Sequence, residues 1–282
     1  MHSRALFLAA RLWLAALGYA ASAVAGAGDW DREQIRSDLA AGRPLVVHVR
    51  VALCSNAQID CGSKIAGRPG DLRHNIYWGA VFGARRFLEL PASGWERVSL
   101  AKVDDVVLER AVYRRKVSPK RWGVSAERRL EQIVVLDAVH GDRIDQAVTG
   151  FWSSAAEGEK LRVRVGEDER ELRVHVTGYV GHNRLMDGLA LPDREETRAA
   201  IPSFVLACYS EQYFGKALRK AGSKPLVTTK QLMAPEGYVL QAVLVALGEG
   251  KNTSEIRGAA VRAYAKWSKL ELGAASYIFA GK

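Results

Sequence analysis

Cysteine and proline are both scarce in this chain: three and eight, respectively, among 282 residues. So few cysteines exclude a small scaffold stapled by disulfides. No low-complexity tract and no repeat of fixed period is present, and the composition excludes wholesale disorder, collagen and coiled coil. A Walker loop, a G-x-G-x-x-G after a strand and a G-x-S-x-G elbow are also missing, so neither a nucleotide cofactor nor a serine nucleophile is signalled. Cys54 and Cys61 have the wrong spacing for a zinc knuckle and no paired histidines accompany them, so no metal and no cofactor is expected.

What is present has the balance of a globular protein: 48% hydrophobic, 26% charged and 8% aromatic residues. The first thirty residues stand apart. His2, Arg4 and Arg11 make a basic start, and Leu12 to Ala25 is an uncharged apolar run. Small residues follow, with Ala-x-Ala sites after Ala23, Ala25 and Ala27. This is the layout of a secretory signal peptide over residues 1–27, with a mature N-terminus between Val24 and Gly28. The run is too short to cross about 30 Å of hydrocarbon, and a longer anchor would bury Arg11. The reading is export to the periplasm or beyond, with no stable membrane insertion after cleavage. Losing Arg4 and Arg11 lowers the net charge from +10 to +8. The one dense basic stretch, Arg114-Arg115-Lys116 to Arg128-Arg129, lacks interleaved aromatics, so it reads as a solvated face rather than a nucleic-acid platform.

Residues 28–282 fit one domain with a large core. Asp31 to Ala41 reads as a short helix and Leu45 to Leu53 as a β-branched strand, followed by a loop holding Cys54, Cys61 and several glycines. Asn75 opens an expected helix through Leu90, with Gly79, Ala80, Gly83 and Ala84 as a small-residue face. Trp95 to Val103, Val106 to Val112 and Glu131 to Val139 read as strands, and Asp145 to Ala156 as a helix. LRVRVGEDERELRVHVTGYVG reads as two alternating strands turning at Gly166-Glu167-Asp168, the second running into Gly181-His182-Asn183. Pro202 to Ala207 is an apolar strand ending at Cys208; a helix over Glu211 to Ala221 and a strand over Pro225 to Thr229 follow. Pro235 sits as a first-turn proline of a helix carrying Tyr238 to Leu247, and Asn252 with Glu255 suits a capping box. Strands alternating with helical stretches predict an α/β fold: a mostly parallel sheet flanked by helices.

Two strand ends carry the chemistry. One delivers His182 and the next delivers Cys208, and carboxyl ends of parallel strands form the crevice where open α/β sheets bind ligands. The 26 residues between them allow a parallel crossover. A thiol beside an imidazole is what cysteine nucleophilic catalysis requires, although a cysteine ending a core strand also serves as plain packing. His140, followed by Gly141 after another apolar strand, is the rival histidine; His48 and His175 lie mid-strand and His74 in a loop. The odd cysteine count leaves one thiol over. Cys54 and Cys61 share a loop flexible enough for a disulfide, which would leave Cys208 unpaired; the alternative is a packed Cys54 thiol with no bridge.

An apolar strand ending in His182, then an apolar strand ending in Ala207-Cys208-Tyr209-Ser210, resembles the caspase–legumain class (clan CD) of cysteine peptidases. In order of elements the resemblance spans most of residues 45–267; residue by residue it is confined to the two strand ends. It implies a caspase- or legumain-like three-layer sandwich, with Cys208 as nucleophile and His182 as general acid for the leaving amine. It also implies backbone N–H groups near Asn183 and Cys208 as the oxyanion site. The class usually has glycine after its histidine; Asn183 stands there instead. HVRVALCSN, NIYWGA, VGHNRLMDG and LMAPEGY additionally resemble a family of exported bacterial proteins. The expected function is an exported hydrolase that cleaves a peptide or amide in a peptide or protein substrate through Cys208 and His182. The alternative is a non-catalytic exported binding or structural protein on the same fold.

Overall fold

The segment LVVHVRVA alternates Leu45, Val47, Val49 and Val51 with Val46, His48, Arg50 and Ala52, and nearly all of them are buried. A strand buried on both faces belongs in the middle of a covered sheet, and that is its place. The computed structural model describes residue 30 and residues 32–125 and 129–281. The predicted signal peptide, residues 1–27, lies outside the described residues. Among those described, no helix is long and apolar enough to cross a membrane.

The strands in chain order are β1 (Leu45–Ala52), β2 (Glu96–Ala101), β3 (Val107–Val117), β4 (Leu130–Val139), β5 (Lys160–Val165), β6 (Asp168–Arg173), β7 (Val176–Val180), β8 (Ser203–Leu206) and β9 (Pro225–Val227). The helices are α1 (Glu33–Ala40), α2 (Ala84–Leu88), α3 (Ile144–Glu157), α4 (Lys216–Lys220), α5 (Gly237–Gly248), α6 (Thr253–Ser268) and α7 (Leu272–Ile278). Seven strands form one sheet in the order β2-β3-β4-β1-β7-β8-β9. From β4 to β9 all neighbours are parallel, while β2 and β3 add an antiparallel edge. The protein is therefore α/β, with a mostly parallel sheet between helical layers.

One layer packs α1, α5 and α6 on Leu45, Val47, Val49 and Val51 of β1, with Trp78 and Phe87 in the same cluster. The opposite layer packs α3 and α4 on Ala52, Tyr179 and Val205. Beside it the β5–β6 hairpin sets Leu161, Val163 and Leu172 against Val46, Ile133 and Val135. Each such Leu, Ile or Val contributes roughly 1.5–3 kcal/mol relative to its exposed state. α6 begins with the expected capping box, Asn252 Oδ1 accepting from Glu255 N at 2.8 Å and Glu255 Oε2 from Asn252 N at 2.9 Å.

Four expectations need correction. The helix expected from Asn75 shrinks to Ala84–Leu88. Asn75 is instead a buried loop bracket: Oδ1 accepts from Cys54 N and Tyr77 N, and Nδ2 donates to the carbonyls of Cys54 and Arg68. Gly79 lies so close to the carbonyls of Leu72 and Arg73 that a side chain would collide with them, which suits a turn and not a helix face. The long second strand before Gly181 divides in two, since β6 pairs only with β5 while β7 enters the main sheet. The helix expected over Glu211 to Ala221 is a π-turn, Glu211–Gly215, followed by α4. Pro235 lies outside α5, whose N-cap is Glu236.

Candidate active site

Numbered among themselves in chain order, the five parallel strands run 2-1-3-4-5 across the sheet. The direction of winding reverses between β1 and β7, and the carboxyl edge at such a switch point is where open α/β sheets bind ligands. The loops leaving β1, β7 and β8 bring Cys54, His182 and Cys208 to that edge.

β7 and β8 run in parallel register with Val180 opposite Leu206, and Gly181 N donates to Leu206 O at 3.2 Å. His182 and Cys208 each follow that pair by two residues, just past the ends of β7 and β8. Gly181 has a φ of +151°, and a Cβ there would stand 3.0 Å from the Ala52 side chain and 3.1 Å from its carbonyl oxygen. Only glycine lets the chain leave β7 so close to β1.

His182 is held from both ends. Its carbonyl accepts from the Tyr179 hydroxyl at 2.6 Å, and its Nε2 lies 2.6 Å from Asp187 Oδ2. Asp187 comes from the short turn Arg184–Asp187, where Arg184 bridges it (2.7 Å) to Asp145 (2.8 Å). Burial pushes the Asp187 carboxyl up, but hydrogen bonds from His182 and Arg184 outweigh it and leave the pKa below the usual value. The His182 ring is 10% exposed, and Nδ1 has no hydrogen-bond partner among the described residues.

Asn183, fully buried, links the two strand ends. Its Nδ2 donates to Cys208 O at 2.6 Å while Oδ1 accepts from Leu185 N at 3.1 Å. Its φ of −87° needs no glycine, so the side-chain brace is placed there without straining the backbone. Asn183 N and Cys208 N donate to no group among the described residues; Cys208 is partly exposed, whereas Asn183 is wholly buried, which withholds its N–H from a substrate and corrects the expectation of a donor there.

Cys208 is half-buried and unpaired, its Sγ 3.5 Å from both N and O of Met233. The next residue, Tyr209, has a φ of +49°, uncommon for a bulky side chain. The elbow is pinned on its far side by Ser210, whose hydroxyl donates to Val205 O at 2.9 Å and accepts from Thr229 N at 2.9 Å. Thr229 in turn donates through its hydroxyl to Ala207 O. Strain of this kind gathers where geometry is functional.

Cys54 and Cys61 form a disulfide, with Cα atoms 6.2 Å apart, which fixes the loop leaving β1. The other histidines are placed elsewhere. His140 ends β4, separated from β8 by β1 and β7, and its Nδ1 accepts from Asp142 N. His48 and His175 are buried between carboxylates and backbone, and His74 pairs with Asp71. Much of the basic stretch is engaged: Arg114 on Glu96, Arg121 on Glu255, and Arg115 over the Trp95 ring. No cluster of metal-ligating side chains occurs among the described residues.

Asp187, by sequence the nearest candidate acid to orient His182 or else a solvated loop acid, is its partner here; two further contributors leave no sign in the sequence, the Asn183 side chain as a brace and the positive φ of Tyr209. Comparison with protein-family models, with curated proteins and with solved structures returned no match, so the functional reading rests on the geometry of this edge.

Proposed function

We propose that the protein is a cysteine-dependent hydrolase of peptide or other amide bonds, acting after export in the periplasm or outside the cell. The observation that carries the reading is one arrangement. An unpaired thiol and an imidazole with one nitrogen free follow the ends of adjacent parallel strands, beside the switch point of the sheet.

With Nε2 donating to Asp187, Nδ1 of His182 is the nitrogen that exchanges protons. It takes the Cys208 proton as Sγ attacks the carbonyl carbon, and the C=O electron pair moves onto oxygen. The N–H of Cys208 receives that charge, such a donor being worth about 3 kcal/mol in well-formed sites. On collapse the C–N bond breaks and His182 returns the proton to the leaving amine. Water then attacks the thioester and releases the acid. Export is supported by the basic, then apolar, then small-residue start of the chain, and by a disulfide suited to an oxidising compartment.

One observation favours a second reading, a binding protein in which Cys208 is packing: its sulfur lies against the Met233 backbone. A peptidyl acyloxymethyl ketone distinguishes the two. The hydrolase reading expects covalent capture of Cys208 at rates far above those of iodoacetamide, abolished by His182→Ala. Capture no faster than with iodoacetamide, and unaffected by that substitution, would establish the binding-protein reading.

A further inference from the structure

The loops that enter β7, β8 and β9 meet at the amino edge of the sheet, opposite the edge that holds Cys208, and each brings one cation. Arg173 ends β6 just before β7, Arg198 lies in the loop before β8, and Lys224 directly precedes β9. With Ile35 of α1 and Ile201 they line one cavity of about 360 Å³, a volume usual for small-ligand sites. No carboxylate belongs to its lining. Among the described residues none of the three cations forms an ion pair or a side-chain hydrogen bond.

Buried hydrogen bonds hold the frame of this cavity. His175 belongs to its lining, with a ring only 4% exposed. Its N donates to Val46 O at 2.9 Å, its Nδ1 accepts from Val46 N at 3.0 Å, and its Nε2 lies 2.9 Å from Asp38 Oδ2. Asp38, equally buried, also accepts from Gln34 at 3.0 Å and from Arg43 at 2.5 Å. Its charge is answered there and leaves nothing for the three cations. Ser203 N donates to Lys224 O at 2.9 Å, and the Ser223 hydroxyl donates to Ile201 O at 2.7 Å, which ties the loops entering β8 and β9 together. Cations carried on such a frame repel one another and focus a positive field in the cavity, and a ligand of opposite charge relieves that repulsion.

We propose that this cavity binds a small organic molecule bearing two negative charges, as a phosphate monoester or a dicarboxylate. Two guanidinium groups suit the paired oxygens of either group, and the Lys224 ammonium adds a point charge. Ile35 and Ile201 supply an apolar wall for a carbon skeleton, which a bare inorganic ion lacks. Glu196 stands beside the rim, its Cγ 2.9 Å from where a Cβ on Gly222 would be, and its like charge limits the affinity. β7, five residues long, separates the amino edge from the carboxyl edge by about 16 Å. The site therefore stands whether or not Cys208 is a nucleophile.

Isothermal titration calorimetry of the purified protein with glycerol 3-phosphate, succinate and uncharged glycerol tests the site. Glycerol 3-phosphate or succinate should bind with a stoichiometry of one per chain, the tighter of the two identifying the preferred anionic group, and glycerol should not bind. Arg198→Gln and Lys224→Gln should each weaken that binding at least about ten-fold, and Glu196→Gln should strengthen it several-fold. Arg198 is exposed and Lys224 half-buried, and neither side chain holds another group, so both variants keep the fold. Cys208→Ala should bind as the unaltered protein does. Absence of saturation by both anions up to about 10 mM would overturn the site. Binding that persists when Arg173, Arg198 and Lys224 are all replaced by glutamine, or that is lost in Cys208→Ala, would overturn it as well. Failure of the ketone to capture Cys208 would remove the hydrolase and leave this titration unchanged.

Discussion

Two histidines on one sheet, each bound to carboxylate, have opposite surroundings. His48 lies in the middle of β1, 1% exposed, with Nε2 2.9 Å from Asp137 and Nδ1 2.9 Å from Glu159. Those acids are themselves held, Asp137 by Arg110 at 2.6 and 2.7 Å, and Glu159 by Arg50 at 2.7 Å and Ser154 at 2.8 Å. His182, just past the end of β7, uses one nitrogen and keeps the other free. A ring with both nitrogens filled cannot move a proton without breaking its own network. A ring with one filled is oriented and still reactive. Height along the strand decides between them: mid-sheet positions are walled by neighbours, whereas strand ends face the crevice.

The comparison breaks most sharply at the strand end if removing the thiol does nothing. Cys208→Ala should lower amide hydrolysis by about 10³-fold or more, because the nucleophile is lost. Its cost to folding should stay under about 1.5 kcal/mol, as the sulfur makes only long contacts at 3.5 Å. Hydrolysis rates and urea midpoints measured on the same preparation separate the two effects.

The mid-sheet network should answer in the opposite way. Asp137→Asn leaves Arg110 and His48 facing a neutral amide in the interior, which should cost about 3–5 kcal/mol of stability. Thiol labelling of the folded fraction should be unchanged. Burial raises the pKa of both acids, but His48 and the arginines outweigh it, so Asp137 lies well below the usual range and Glu159 is brought down to about 2. Folded-state values below the unfolded ones make the unfolded chain bind protons first. The stabilisation is complete above about pH 4.5 and lost toward about pH 2. Urea midpoints followed through that window should fall steeply in the unaltered protein and more shallowly in Asp137→Asn. A flat profile would deny the network its structural weight.

The two regions also differ in how far their sequences announce them. β1, β4, β7 and β8 were legible because β-branched runs bounded by turns have few other uses. The same runs placed His182 and Cys208 at strand ends. The networks around those residues were not legible, since Asp137, Arg110 and Glu159 come from separate elements whose pairing depends on sheet order. Asn75 misled because asparagine caps helices and also brackets loops, and only the long-range partners Cys54 and Arg68 decide which. Asp187 was visible as a nearby acid, but its bond to His182 depends on a tight turn that five residues of sequence do not specify.

That bond supplies the next, smaller effect. Asp187→Asn keeps the shape of the turn and removes the charge that orients and stabilises a protonated His182. Turnover should fall about 10–100-fold. Asp187 is 38% exposed, so stability should change by less than about 1 kcal/mol. A fall in hydrolysis matched by an equal loss of stability would make Asp187 a fold residue and bring His182 closer to His48 in kind.

The smallest effect tests the elbow itself. Tyr209 holds a φ of +49° directly after the thiol, a conformation that costs a non-glycine residue about 1 kcal/mol. Tyr209→Gly relieves that strain but adds freedom to the unfolded chain, worth about 0.5–1 kcal/mol in the other direction. The two should nearly cancel, leaving the urea midpoint almost unmoved. Activity need not follow. Tyr209 N donates to Gln231 O at 3.1 Å, and its carbonyl accepts from Tyr213 N at 3.3 Å, so the turn is anchored through backbone that glycine retains. What glycine removes is stiffness between those anchors and the sulfur. If the strained turn aims Sγ at the crevice, Tyr209→Gly should slow ketone labelling of Cys208 several-fold at unchanged stability. Equal labelling would mean that Ser210 and Thr229 alone fix the elbow, and that the left-handed turn follows from the connection to β9.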